Sequence, residues 1–170
     1  MISIGGKAPS WKATVYHNGN KETLSSEDLA GSWYVIYWWP FDFTGICHSE
    51  ILGFQELEKE FEELGVKLIG ASCDSFFSHS SWFADAASFP NGAPAHAMIA
   101  DNTHQVTKDF GFYLEAVGCA VRGTVLVNPD GIVQSAAANF LNVARDPQDI
   151  LTTARAFISG GCTLPVRRSL

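Results

Sequence analysis

No Cys-x-x-Cys pair occurs anywhere in the 170 residues. Its absence excludes a local zinc knuckle and the vicinal dithiol of a thioredoxin-type oxidoreductase. No apolar run approaches the ~20 residues that a membrane span requires. The opening Met1-Ile2-Ser3-Ile4-Gly5-Gly6-Lys7 lacks the charged stretch and apolar core of a secretion signal. Positive charge is scarce: 11 Lys and Arg stand against 18 Asp and Glu, a formal net charge of −7, which opposes binding to a phosphate backbone. There is no Gly-rich dinucleotide signature, internal repeat or low-complexity block. His17, His79, His96 and His104 show no metal-ligand spacing. The expectation is a soluble, cytoplasmic chain without metal, cofactor, nucleic-acid partner or membrane partner. It is long enough to bury about two thirds of its unfolded surface as one domain over residues 1–170.

What is present is a regular alternation of elements. Lys12 to Tyr16 and Lys21 to Leu24, joined through His17-Asn18-Gly19-Asn20, predict an early hairpin. The unbroken run Trp33-Tyr34-Val35-Ile36-Tyr37-Trp38-Trp39 predicts a strand buried on both faces, stopped by Pro40. Phe54, Leu57, Phe61 and Leu64 form one helical stripe opposite six charged residues, which predicts a helix over about 47–64 with Gly65 beyond it. Strands follow at Val66 to Ala71 and His96 to Ala100. Helices follow at Ser78 to Ala87, capped by Ser78, and at Thr103 to Phe110. Ala120 to Val127 and Ile132 to Ala136 flank the turn Asn128-Pro129-Asp130-Gly131, and Asp146 to Ile158 closes the series as a helix. The order predicts a three-layer α/β fold with a mixed central sheet, thioredoxin-like, with an N-terminal β-hairpin extension. Residues 159–170 are expected to be a mobile tail.

The four cysteines are Cys47, Cys73, Cys119 and Cys162, and free thiols are the default in a reducing cytosol. Cys47 lies where a strand-ending loop enters a helix, the place where open α/β folds put ligands. The positive pole of a helix N-terminus favours the thiolate, which is the nucleophilic form. Thr44 stands three residues before the thiol, close enough to hydrogen-bond the sulfur or an attacked oxygen, and Pro40 fixes the loop. On residue counts alone, a small buried hydrophobe is the commoner fate of a free cysteine.

Pro40-x-x-x-Thr44-x-x-Cys47 resembles the active-site motif of the peroxiredoxins. The preceding Tyr37-Trp38-Trp39 run is similar to that of the typical 2-Cys, alkyl hydroperoxide reductase C or thiol-specific antioxidant group. Three further blocks are similar in the same order: Ala71-Ser72-Cys73-Asp74-Ser75 with Ser78, His79 and Trp82; Ala100-Asp101-Asn102-Thr103 with Phe110-Gly111; and Ala120-Val121-Arg122-Gly123-Thr124 before Asn128-Pro129-Asp130-Gly131. Together they span about residues 3 to 165. The resemblance implies a thiol peroxidase that reduces hydrogen peroxide and organic hydroperoxides. Cys47 would attack the peroxide and become a sulfenic acid. Thr44 would hold the peroxide oxygens, Pro40 would shield the sulfur, Arg122 would stabilise thiolate and transition state, and Glu50 would orient Arg122. Cys162 would be the resolving thiol, attacking from a partner subunit in a homodimer that assembles further into a ring. A thioredoxin-like protein or dedicated reductase would then reduce the disulfide.

The chain departs from that pattern at His48, where the group usually has Pro, and at Gly45, which replaces a bulkier residue. His48 is expected to be solvated. Cys73 and Cys119 stand where aliphatic residues are usual and are expected to pack. The group's peroxide-sensitive members carry a Gly-Gly-Leu-Gly loop and a C-terminal Tyr-Phe helix. This chain has Asn91-Gly92-Ala93-Pro94 near the first place and eight residues after Cys162, so relative resistance to over-oxidation is expected. Rival readings are a redox sensor or chaperone on the same fold, and a thiol-disulfide oxidoreductase. Ser49-Glu50 after Cys47-His48 counts against the last.

Overall fold

The computed structural model describes residues 1–163 and 165. The early hairpin forms as expected, with β1 (Lys12–His17) and β2 (Asn20–Ser25) paired antiparallel. Asn18 and Gly19 both take positive φ, 50° and 81°, which is what a two-residue turn matching the strand twist needs. The elements that follow are β3 (Trp33–Trp38), α1 (Gly45–Glu63), β4 (Val66–Ser72), α2 (Phe76–Phe83), β5 (Ala97–Ala100) and α3 (Gln105–Asp109). The last are β6 (Tyr113–Leu114), β7 (Cys119–Ala120), β8 (Arg122–Val127), β9 (Val133–Asn139) and α4 (Pro147–Ser159). Seven strands make one mixed sheet in the order β2-β1-β5-β4-β3-β8-β9. The β3–β4 and β4–β5 pairs are parallel, and the other pairs are antiparallel.

The aromatic run of β3 is central, and alternate residues serve opposite faces. Val35, Tyr37 and Trp39 join Phe54 and Phe61 of α1, Trp82 and Phe83 of α2, and Leu151 and Ala154 of α4 in one core. Tyr34, Ile36 and Trp38 join Val106 of α3, Phe110, Phe112 and Val125 in the other. A strand covered on both faces has no polar side to show, which is why its sequence does not alternate. Close packing at Gly70 of β4 shows how full the first core is. A Cβ there would lie 2.5 Å from Met98 Sδ and 2.8 Å from the Trp39 ring.

Several boundaries differ from the sequence reading. Helix α1 begins at Gly45, with Thr44 as N-cap, so Cys47 lies inside the first turn. The cap of α2 is Ser75, whose Oγ accepts the Ser78 N–H at 3.2 Å, and the helix stops at Phe83. Helix α3 is shorter because His104 sits at φ 65°, and Asp101 accepts the Thr107 and Val106 amides in its place. The later hairpin is split. Gly123 N–H donates to the Val121 carbonyl at 2.9 Å, a three-residue turn centred on Arg122 that separates β7 from β8. Its second strand runs on to Asn139. Ser159, placed in the expected tail, belongs to α4; residues 164 and 166–170 lie outside the described residues.

The loop between β3 and α1 is held from below by a buried polar node. Asp42 Oδ1 accepts the Trp39 indole N–H at 2.8 Å, and Oδ2 accepts Ser78 Oγ–H at 2.8 Å and His79 Nδ1–H at 2.7 Å. His79 is fully buried, and its Nε2 faces the Ile99 carbonyl at 3.0 Å. A carbonyl and a carboxylate only accept, so both ring nitrogens carry hydrogen and the ring is an imidazolium. Burial opposes that charge. The hydrogen bond and charge of Asp42, the Ile99 carbonyl and Asp74 outweigh it, and the His79 pKa is raised. Burial and the neighbouring Asp42 push the Asp74 carboxyl up in turn. A histidine with a raised folded pKa contributes stability that is complete below its unfolded value of about 6.5 and is lost as pH rises through the folded value. Denaturant-measured stability is therefore expected to fall as pH rises above about 6.5. The His79→Gln variant should show a flatter profile over the same window. An NMR titration placing the His79 ring below 6.5 would contradict the assignment.

Candidate active site

Cys47 is 1% exposed, facing the sheet from the first turn of α1. Arg122 reaches it from β8, with Nη1 3.5 Å from the sulfur. The three-residue turn centred on Arg122 leaves the guanidinium between the sulfur and the Leu141 carbonyl, which accepts its Nε–H at 2.8 Å. The same Nη1 donates to Glu50 Oε2 at 2.6 Å. Glu50 lies three residues after Cys47 on α1, so the helix repeat puts both on the inward side. Cys47, Glu50 and Arg122 are thus brought together as the sequence predicts.

A fourth member was not found by sequence reasoning. Arg145, in the segment before α4, donates its backbone N–H and its Nε–H to Glu50 Oε1 at 2.8 and 3.0 Å, and Nη2 reaches Oε2 at 3.1 Å. Its remaining hydrogens go to the Trp38 carbonyl at 2.6 Å, Thr124 Oγ1 at 3.0 Å and the Gly123 carbonyl. The guanidinium also lies 5.7 Å from the Tyr37 ring centre. One local signal was legible. Arg145 immediately precedes the Asp146 N-cap, and a cation at a helix N-terminus opposes the dipole unless something else holds it.

The electrostatics of this cluster have a consequence for the thiol. Two guanidinium groups share one carboxylate, so the buried set carries one unbalanced positive charge. Arg122 turns its Nη1 toward the Cys47 sulfur, where it can donate to negative charge. The same guanidinium is placed to stabilise negative charge that develops on an oxygen leaving the sulfur's partner.

Pro40 is buried at the end of β3 and begins the loop. Thr44 is exposed, and its hydroxyl hydrogen is committed to the Phe41 carbonyl at 2.7 Å. It therefore offers lone pairs at the mouth of the site rather than a free hydrogen. His48 is not simply solvated as expected: it is half-buried and its Nε2 lies 2.6 Å from the Ser88 carbonyl. Cys162 is exposed beyond α4, after Gly160 and Gly161, both at positive φ. The structure does not bring it to Cys47, and all four thiols are free. Cys73 and Cys119 pack as expected. Burial pushes Cys73 up to about 11, and it pushes Cys119 up with Cys47 and Asp74 adding and Arg122 opposing. Neither is poised as a thiolate.

A model of the AhpC/TSA family matches residues 4–136. The human mitochondrial thioredoxin-dependent peroxide reductase is 34% identical over 153 residues, 88% of this chain and 59% of that protein. Peroxiredoxin-4 of Dictyostelium discoideum is 32% identical over 157 residues, 92% of this chain and 61% of that protein. The chain spans less than two thirds of the length of these curated relatives. Among solved structures, Enterococcus faecalis AhpC superposes with a TM-score of 0.88 at 27% identity, covering 96% of this chain and all of that one. The reduced 2-Cys peroxiredoxin of Plasmodium vivax gives 0.85 at 29% identity, covering 91% and 81%. With the thioredoxin-like fold these proteins share and a family match over most of its length, the chain belongs to the AhpC/TSA family.

Proposed function

We propose that this chain is a thiol-dependent peroxidase acting on hydrogen peroxide and organic hydroperoxides. The observation that carries the reading is the 3.5 Å contact of Arg122 with the buried Cys47 sulfur, on a guanidinium fixed by Glu50. The Cys47 thiolate attacks the terminal oxygen of the hydroperoxide. The S–O bond forms as the O–O bond breaks, leaving a sulfenic acid and an alkoxide or hydroxide that takes up a proton. Arg122 stabilises the charge on the departing oxygen, the Thr44 lone pairs and the free first-turn amides of α1 orient the peroxide, and Pro40 walls the sulfur. Arg145 holds Glu50, and through it Arg122, in a fixed direction.

The second half-reaction joins the sulfenic acid to Cys162 of the partner subunit, forming a disulfide and releasing water. Two surface features support the assembly this needs. Strand β9 is a sheet edge with the sequence Val-Gln-Ser-Ala-Ala-Ala-Asn. It carries none of the charges or prolines that blunt an unpaired edge, which suits edge-to-edge pairing in a homodimer. Phe43, 60% exposed, with Phe41 and Ile46, puts apolar surface on the loop and first turn that carry Cys47, which suits further assembly into a ring. The reductant proposed is a thioredoxin-like protein, as the names of the mitochondrial relatives state for them. Four unpaired thiols suit a reducing compartment such as the cytoplasm.

Cys47→Ser is expected to abolish peroxide consumption with an unchanged thermal transition, because it removes the nucleophile and keeps the volume. Arg122→Ala is expected to lower kcat by about 10²–10³, the cost of losing a preset donor to a developing oxyanion. A Cys47→Ser variant with parental turnover contradicts the proposal.

Mass spectrometry of the peroxide-treated protein is expected to find a Cys47–Cys162 peptide pair. Non-reducing gels should show a dimer that disappears in Cys162→Ser. A Cys47–Cys119 pair on a monomer band would assign resolution to the buried thiol instead.

A further inference from the structure

A disulfide needs its two Cα atoms within roughly 4.4–6.8 Å. The Cys47 Cα lies in a helical turn whose sulfur is 1% exposed. A second chain therefore reaches that sulfur only after the first turn of α1 opens. Besides the Arg122 contact on Cys47, the residue that ties this turn to another segment is His48. Its backbone N–H donates to the Thr44 carbonyl at 3.0 Å, the first i to i−4 bond of the helix. Its ring Nε2 donates to the Ser88 carbonyl at 2.6 Å, and since a carbonyl only accepts, Nε2 carries the hydrogen. The ring stands edge-on to Phe89 at 5.2 Å and lies 6.1 Å from the Trp82 ring.

The receiving carbonyl is itself built in. Asp85 accepts the Ser88 Oγ–H at 2.6 Å and the Ser88 N–H at 3.2 Å, and the Phe89 N–H donates to the Asp85 carbonyl at 2.9 Å. Phe89 is buried in the core with Trp82 and Phe83. His48 thus connects the residue next to the nucleophile to a turn anchored in the core. A proline at this position would make neither of the two bonds, because it has no N–H and no ring donor.

We propose that His48 is a latch that holds the first turn of α1 closed and sets the rate at which an oxidised Cys47 becomes reachable by a second thiol. While the turn is closed, a sulfenate at Cys47 remains in the pocket that binds peroxide. A second hydrogen peroxide then adds one oxygen to it, giving the sulfinate and water. The latch shifts the balance toward sulfinic acid. The chemical consequence rests on the peroxidase reading; the mechanical one does not.

Two variants test it, His48→Ala and His48→Pro. Alanine keeps the helical N–H and favours helix, so any loosening it causes comes from the lost side-chain tie. Hydrogen exchange of the reduced protein, read by mass spectrometry on peptides covering residues 45–51, is expected to speed up by about fivefold in His48→Ala, the worth of one ordinary hydrogen bond. A larger increase is expected in His48→Pro. During turnover with hydrogen peroxide and excess dithiothreitol, the fraction of Cys47 converted to sulfinic acid per cycle is expected to drop by a similar factor. Exchange in residues 45–51 indistinguishable from the parent in both variants overturns the latch. Faster exchange with an unchanged sulfinic fraction, while the Cys47–Cys162 disulfide still forms, overturns its consequence for over-oxidation. If the parent forms no disulfide, the resolving role of Cys162 fails, and the exchange measurement alone still decides the latch.

Discussion

The site depends on one buried carboxylate. Glu50 is 2% exposed and accepts from two arginines that arrive from different parts of the chain, Arg122 from β8 and Arg145 from the segment before α4. Three charges taken out of water are costly unless each finds its partners, and removing one member of such a set typically costs about 3–5 kcal/mol. Here the partners are complete on the carboxylate and on Arg145, whose guanidinium also binds carbonyls of β3 and β8. Arg122 alone keeps a donor turned toward the sulfur. The arrangement therefore fixes where the last positive charge points, and the nucleophile occupies that point.

Much of this was readable in the sequence because most of it is local. The β3 run, the α1 stripe, the Asn18-Gly19 turn and the spacing from Cys47 to Glu50 are all written within a few residues. The motif resemblance added Arg122, which spacing could not connect to Cys47 across 75 positions. Apart from its place before the Asp146 N-cap, nothing local marked Arg145. Its value lies in bonds to Trp38, Glu50, Gly123 and Thr124, none of them near in sequence. The β6–β7 ribbon was missed because two-residue strands have no period to detect. From the sequence the α2 cap is expected at Ser78, where the nearby Ser75 serves, and no cap is expected for α3, whose Val106 and Thr107 amides Asp101 satisfies from a few residues upstream.

The loop carrying Pro40 and Thr44 is held by a buried polar centre. Below it, Asp42 is locked by Trp39, Ser78 and a charged His79. A second buried histidine nearby behaves differently. His96 Nε2 faces the Tyr37 hydroxyl at 2.8 Å, a group able to donate, so the ring has no need of a second hydrogen. Burial lowers its pKa, with Glu58 opposing. The two buried rings thus shift in opposite directions, because the neighbours of His79 only accept while one neighbour of His96 also donates.

These ties place conflicting demands on the first turn of α1. On the proposed peroxidase reading, reaction with peroxide needs Cys47 beneath Arg122, in the closed geometry seen here. Resolution by a second chain would need that turn released. The carboxylate bonds of Glu50, Arg145 and Asp42 lie deeper, with side chains at most 7% exposed, and bind the elements that do not have to move. The ties within the mobile turn are weaker and nearer the surface: the Thr44 hydroxyl on the Phe41 carbonyl, and His48 on the Ser88 carbonyl. Bond strength graded in this way lets one turn open without the core following, since local unfolding is drawn from segments with few buried partners. Ser49 Oγ–H adds a local tie to the Ile46 carbonyl, and of these ties the His48 bond is the one that crosses to a separate segment. It therefore sets how independently of the rest that turn can open.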